Sequence, residues 1–327
     1  MQALVMTGPS RGPDLTEIAD MPVPEPGEGE VSIDVSFAGV NFIDVMARRG
    51  DPGYVAAWPY VPGKEVAGTV RRVGPGVSGV VPGQPVAAFT PSGGLAEVAV
   101  ASAALTVPLP DGVPSPLAAA APLMLTSALL LLTDAARFGA GESVLVHSAS
   151  GGVGSAVARL VPALGGGRLI GTVGRADKVE TARSAGYDTV VVRDEGAGGA
   201  IRAAAPEGVD VVLDPLGVEL LELDLEVTGP GGRIVLFGNA GGGEVSPLPP
   251  HPRLMRGNVG IVGFSASALT ANAPHRIARG LRRVLDLIAE GLLDVPVTVI
   301  DSLAGVPGVH QLLADGRGGG KYVVRIA

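Results

Sequence analysis

Seven consecutive residues, Ser148-Ala149-Ser150-Gly151-Gly152-Val153-Gly154, have the composition of a phosphate-binding turn. Glycine lets the backbone turn sharply and leaves no side chain in the way of a phosphate. A helix opening directly after such a turn offers N–H groups and a partial positive charge to an anion. The spacing is Ala149-x-Gly151-x-x-Gly154, with Gly152 as an extra glycine, so Ala replaces the first glycine of the usual dinucleotide fingerprint. By itself the turn serves either a dinucleotide or the packing of a helix against a sheet. Its context favours the dinucleotide: residues 143–147 (SVLVH) read as a strand and residues 154–164 as a helix.

The end of the next strand carries the second signal. Folds that bind NAD place Asp or Glu there, about 20 residues after the loop, to accept from the ribose 2′-hydroxyl. Here the strand ends Thr172-Val173-Gly174-Arg175, without a carboxylate. Gly174 leaves room for a larger group, and Arg175 and Lys178 are cations that suit a 2′-phosphate. Asp177 would repel that phosphate if it pointed inward; with Ala176 it is expected to serve the start of the following helix. The chain has only three lysines, Lys64, Lys178 and Lys321. In a chain so biased towards Arg, Lys remains mainly where a compact ammonium is preferred.

Composition narrows the chemistry. The absence of cysteine excludes disulfides and every thiolate metal site. His147, His251, His275 and His310 are scattered, and no two have metal-ligand spacing, so all four are expected to be structural or surface residues. The net charge of −8 includes no basic stripe, which argues against nucleic acid as a partner. The first residues lack the charged and apolar regions of a signal peptide. Residues 117–132 form the most apolar run but include Pro122, Thr126 and Ser127, and they predict a buried core helix rather than a membrane span. A cytoplasmic protein is expected.

These residues need two kinds of scaffold. Residues 1–115 read as short strands and turns, with strands over 31–37, 66–73 and 86–89 and Pro-Gly pairs between them. From about residue 123 short apolar strands alternate with helices. Strands are predicted over 143–147, 168–173, 189–192, 209–213, 233–237 and 259–264, and helices over 154–164 and 176–185. This is the pattern of a doubly wound parallel sheet, so the fold class is α/β with a β-rich partner domain. A helix over 275–290 and a strand over 321–326 follow, and pattern alone assigns them to neither domain.

Several segments together resemble a known family. They are Ala38-Gly39-Val40-Asn41-Phe42-Ile43-Asp44, Pro62-Gly63-Lys64-Glu65-Val66-Ala67-Gly68 and residues 144–154, followed by Gly171-Thr172-Val173-Gly174, Asp214-Pro215-Leu216-Gly217, Phe237-Gly238-Asn239 and the stretch from Gly316-Arg317 to Gly320-Lys321. In this order they resemble the zinc-independent quinone oxidoreductases of the medium-chain dehydrogenase/reductase superfamily, over nearly the whole chain. The resemblance implies a GroES-like domain formed by residues 1–122 and 265–327 and a Rossmann NADPH-binding domain over 123–264. It also implies a homodimer. It places Asn41 and Thr126 near the nicotinamide, Ala149, Ser150, Gly151, Gly152 and Val153 over the pyrophosphate, and Gly174 and Lys178 at the adenosine phosphate. Phe237 and Asn239 fall in the loop under the cofactor, and Ser148 and Lys321 join the cofactor-binding set. Two positions depart from the family: Met46 and Arg193 stand where relatives carry Tyr. Arg193 keeps a phosphate partner and adds charge.

The reaction this implies is hydride transfer from NADPH to a quinone or an activated enone. Without zinc, charge growing on the acceptor oxygen must meet protein hydrogen bonds or water. Asn41 is the first candidate donor, and Tyr54, Tyr60 and Lys64, in or beside an open-looking loop at residues 48–60, are further ones. That loop and residues 247–255 are expected to shape the pocket. Two alternatives stand beside this reading: an enoyl-thioester reductase of polyketide or fatty-acid type, and a non-enzymatic NADPH-binding protein.

Overall fold

A computed structural model describes residues 1–217, 220–240 and 247–326. The chain divides into two compact units, Met1–Thr126 joined by Ser267 onward, and Ser127–Ala266. The expected divisions fell after residues 122 and 264. The first lies inside one unbroken apolar run, where composition does not change at the boundary.

The first unit is built on β1 (Gln2–Met6), β2 (Thr16–Asp20), β3 (Glu30–Val40), β4 (Glu65–Val73), β5 (Pro85–Phe89), β6 (Val98–Ser102) and β7 (Thr106–Pro108). The second unit holds β8 (Val144–His147), β9 (Leu169–Val173), β10 (Thr189–Val192), β11 (Val209–Asp214), β12 (Thr228–Leu236) and β13 (Gly260–Gly263). The tail adds β14 (Val297–Ile300) and β15 (Lys321–Arg325).

In the first unit the main sheet runs β14-β15-β3-β4-β5-β7, with β6 also paired to β3. β15 lies antiparallel to β3, Tyr322 facing Val40 and Arg325 facing Phe37. This pairing settles the place of the tail, which pattern left open. Because β15 flanks it, β3 is longer than its alternating core, and Ala38, Gly39 and Val40 at its end are buried. Leu4, Ile33, Val66, Val86, Leu95 and Val324 pack into one core beneath the sheet. Burying each such side chain contributes roughly 1.5–3 kcal/mol.

In the second unit the sheet order is β10-β9-β8-β11-β12-β13, and every neighbouring pair is parallel. This is the doubly wound order, whose direction reverses between β8 and β11. Ligands of such folds bind at the carboxyl ends of the strands beside that reversal, and the Ser148–Gly154 turn follows the end of β8.

Three expectations need correction. The run 117–132 is not one regular helix: wide turns at Ala121–Leu125 and Leu131–Ala135 interrupt it. Pro122 has no N–H to give the preceding turn, and the Leu125 N–H reaches back five residues to the Ala120 carbonyl, 3.2 Å away. The helix expected over 176–185 begins as a tight turn, Ala176–Lys178, and is regular only over Val179–Ala185. β12 starts at Thr228, five residues before the predicted Arg233, because Thr228 already pairs with Val209 of β11 and Gly229-Pro230-Gly231-Gly232 fall in the register shift before Arg233 pairs with Val211. Among the described residues no helix is long and apolar enough to cross a membrane.

Candidate functional site

The glycine turn lies at the end of β8. Ser148 takes a left-handed conformation, φ 57°, which a side chain disfavours and which recurs at functional turns. The Gly151 N–H closes the turn on the Ser148 carbonyl at 2.9 Å. Gly151 then caps the helix Gly152–Ala163 without a side-chain bond among the described residues, so the first N–H groups of that helix are not engaged by a capping side chain. Such N–H groups suit a pyrophosphate. The departure at Ala149 has a local compensation. A methyl built on Gly171 of β9 would stand 2.5 Å from the Ala149 Cβ, so the glycine missing from the turn is supplied by the facing strand. Tyr187, fully buried, donates its hydroxyl to the Gly154 carbonyl at 2.8 Å and ties the helix start to the sheet. Burial pushes the Tyr187 hydroxyl pKa well up.

Beyond β9, Gly174 is exposed and no carboxylate follows it. Arg175 does not project alone: its guanidinium pairs with the Asp177 carboxylate at 3.0 and 2.9 Å, on the surface. Asp177 thus answers Arg175 while standing in the first turn of the helix start, as expected. Lys178 lies at the end of the same tight turn. Arg193, just after β10, is half-buried, and its guanidinium occupies the space a Cβ on Gly174 would take, with Nη2 at 2.8 Å from that position. Its Nη1 donates to Thr172 Oγ1 at 3.2 Å. Burial holds the Arg193 pKa below its ordinary value.

Thr172 begins a buried polar row that the sequence analysis did not single out. Its Oγ1 is 2.7 Å from His147 Nδ1, and His147 Nε2 is 2.7 Å from Asp224 Oδ1. At the end of β11, Asp214 accepts from the N–H groups of Leu216 and Gly217 at 2.7 and 3.2 Å. The Phe237 N–H bonds the Asp214 carbonyl at 2.9 Å, and Asn239 lies beside Gly217. Ser148, Phe237 and Asn239 therefore gather with Gly174 at the carboxyl edge of one sheet.

In the first unit, Asn41 caps the helix Phe42–Arg49, and its N–H bonds the Asp44 carboxylate at 2.8 Å. Its side-chain amide is engaged on both sides. Nδ2 donates to Glu65 Oε1 at 2.9 Å, and Oδ1 accepts from Lys321 Nζ at 2.7 Å. Lys321 also donates to Glu65 Oε1 and, at 3.2 Å, to the Val40 carbonyl. All three ammonium protons are thus committed within the protein, and Lys321, expected among the cofactor ligands, is buried. Glu65 is fully buried, and its other oxygen accepts the N–H groups of Leu123 and Met124 at 2.7 and 3.3 Å. That segment leads into Thr126, whose hydroxyl donates to the Ala121 carbonyl at 2.8 Å. Gly39 makes the arrangement possible, since a Cβ there would lie 2.2 Å from Glu65 Oε1.

Tyr54 and Lys64 do not join this cluster by any hydrogen bond among the described residues. The Lys64 ammonium donates to the Pro91 carbonyl, and burial lowers its pKa. Tyr54 is half-buried near Asp51, and burial raises its pKa. Tyr60 bridges β1 through backbone bonds with Met6, and burial raises its hydroxyl to about 12. His251 and His275 are exposed and His147 and His310 buried; among the described residues no three His, Asp or Glu side chains converge as a metal ion would need.

Residues 27–111 match the alcohol dehydrogenase GroES-like domain and residues 152–285 the zinc-binding dehydrogenase domain. The two matched halves describe a medium-chain dehydrogenase/reductase. Over 72% of its length the chain is 36% identical to a rat quinone oxidoreductase, covering 73% of that protein. It is 34% identical over 97% of its length to a polyketide synthase protein of the spectinabilin system of Streptomyces orinoci, of which it spans only 14%. A solved mycobacterial structure complexed with NADPH superimposes with a TM-score of 0.88 at 33% identity, over 99% of both chains. The chain belongs to the quinone oxidoreductase family of the medium-chain dehydrogenases/reductases.

Proposed function

We propose that the protein is an NADPH-dependent reductase that delivers hydride to a quinone or an activated enone. The observation that carries the cofactor choice is the carboxylate-free end of β9, where Gly174 gives space to the Arg193 guanidinium. A guanidinium there suits a 2′-phosphate and offers nothing specific to a 2′-hydroxyl. The open N–H groups at the start of the helix Gly152–Ala163 receive the pyrophosphate. When bound, NADPH supplies the hydride. The chain's own part is to hold the acceptor in place and to answer the negative charge that develops on its oxygen.

Asn41 is the group we assign to that oxygen, and it acts as a polarised donor. Lys321 draws on its carbonyl oxygen while Glu65 fixes the plane of the amide. One Nδ2 proton serves Glu65. The other has only a long contact, 3.4 Å, with the Gly39 carbonyl and remains for the acceptor. Quinones and activated enones need little acid help, so Tyr54 and Lys64 are assigned to the pocket wall and not to proton transfer. The family resemblance adds a homodimer to this reading.

The test is NADPH oxidation against a panel of quinones, enones and enoyl thioesters, with NADH as control. Turnover of a quinone or enone with a clear preference for NADPH is expected; equal use of NADH would remove the 2′-phosphate argument. A second reading, reduction of an enoyl thioester, draws on the polyketide synthase match, which covers almost the whole chain. Turnover confined to thioesters would replace the first reading by the second.

A further inference from the structure

Four side chains of the second unit form an unbroken row from its surface into its core. Their hydrogen bonds have one self-consistent direction. Arg193 can only donate, so Thr172 Oγ1 accepts from it. In the tautomer with its proton on Nε2, His147 donates to Asp224 Oδ1. The same tautomer presents Nδ1 as an acceptor, and the one proton of the Thr172 hydroxyl fills it. Cation, hydroxyl, imidazole and carboxylate thus point the same way. Thr172, His147 and Asp224 are all at most 1% exposed, so water does not compete for these bonds. Asp214, with its Oδ2 unpartnered among the described residues, adds negative charge near His147 and Asp224.

The row fixes a side chain that would otherwise wander. A long arginine side chain has many rotamers to lose when it is fixed. Here Nη1 is bound to a hydroxyl whose own rotation is locked by His147, and His147 is locked by Asp224. Nε and Nη2 have no protein partner among the described residues, and Nη2 stands beside Gly174. The guanidinium is therefore held by one nitrogen and open at the others, as an anion receptor needs.

We propose that Thr172, His147 and Asp224 are positioning residues that hold Arg193 for the 2′-phosphate, and that they set the preference for NADPH over NADH from beneath the sheet without touching the cofactor. This rests on the reading of Arg193 as the phosphate partner. Hydrogen bonding that merely keeps buried groups satisfied would give the row no say in cofactor choice.

Calorimetric titration of the full chain with NADPH and with NADH tests it without needing an acceptor. Thr172→Val keeps the shape and removes the hydroxyl; we expect NADPH affinity to fall five- to twentyfold and NADH affinity to move less than twofold. Thr172→Ser should restore NADPH affinity to within twofold of the parent. Loss of both affinities in equal proportion, or of neither, would overturn the proposal. If Thr172→Val does not fold, Thr172→Ala removes the same hydroxyl and is judged by the same ratio. Arg193→Ala separates the two layers of the argument. If it leaves the NADPH to NADH ratio unchanged, the phosphate reading itself fails. If it collapses the ratio while Thr172→Val does not, the row alone is refuted.

Discussion

The two units each bury a carboxylate with a cation, and they do so in opposite ways. In the first, Lys321 and Glu65 touch directly, and every proton of the ammonium has an acceptor. In the second, Arg193 and Asp224 are separated by a hydroxyl and an imidazole. A direct buried pair is closed: its charge goes no further than the groups it clamps, here the Asn41 amide and the backbone of Leu123 and Met124. An interposed pair leaves its cation half outside, where it can answer a ligand. The contrast predicts that damage to the first pair registers as lost stability and damage to the second as altered cofactor choice. His310 is the case of neither arrangement, a fully buried ring with no hydrogen bond on either nitrogen among the described residues, its Nε2 3.9 Å from the Asp44 carboxylate.

The largest effect should come from opening the closed pair. Lys321→Met leaves Glu65 buried without its cation, and a loss of about 3–5 kcal/mol in unfolding free energy is expected by urea denaturation. Adding Glu65→Gln to it should recover much of that loss. If the single substitution is neutral, the pair is not closed in the sense argued here.

His310 should give the next effect, as a pH dependence. Burial and the neighbouring Arg48 push its pKa from 6.5 down to about 3. Below pH 6.5 the unfolded chain takes up a proton that the folded chain refuses, so stability falls as pH drops from 6.5 towards 3, by about 1.4 kcal/mol per unit. Asp44 runs the other way. Burial raises its carboxyl from 3.8 to about 6, so its protonated form favours the fold, and stability falls as pH rises through that window. Because the Asp44 carboxylate stands 3.9 Å from His310 Nε2, His310→Gln is compared with its parent in an Asp44→Asn background, which removes the Asp44 contribution. The variant's urea midpoint should therefore drop less than the parent's between pH 6.5 and 4.5. Parallel curves would show that His310 is protonated in the fold.

The smallest effect sharpens the comparison from the side of the glycine turn. Gly171→Ala drives a methyl against Ala149 and should cost about 1–3 kcal/mol, seen as a lowered melting temperature. Ala149→Gly in the same chain should restore part of it, since Tyr187 also stands 2.9 Å from that methyl. No recovery in the double variant would mean that the two positions do not share one space.

Much of this was legible in the sequence, and the rest was not for physical reasons. The buried parallel strands announced themselves as short apolar runs, and the resemblance told where the tail would go. β1, β2, β6, β7 and β14 are three to five residues long and lie outside the second unit, whose regular alternation with helices makes equally short strands legible. Glu65 appeared only as one letter of a motif. Its partners lie 24, 58 and 256 residues away, so the fold alone brings them together. The row beneath Arg193 did leave a trace. His147 and Thr172 are polar residues at or near the ends of two neighbouring, otherwise apolar strands, and such groups must be paired below the surface; Asp224, on the helix Leu221–Val227, leaves no such mark.

β15 also governs the order in which the molecule can assemble. The second unit is one continuous stretch of chain, and its sheet can close once β13 has emerged. The first unit is split, and its central strand β3 lacks one neighbour until residues near the far end of the chain arrive. Until then Glu65 lacks its cation and the Asn41 corner cannot set. The unit begun first is thus completed last, and its latest contacts are the ones around Glu65 and Asn41.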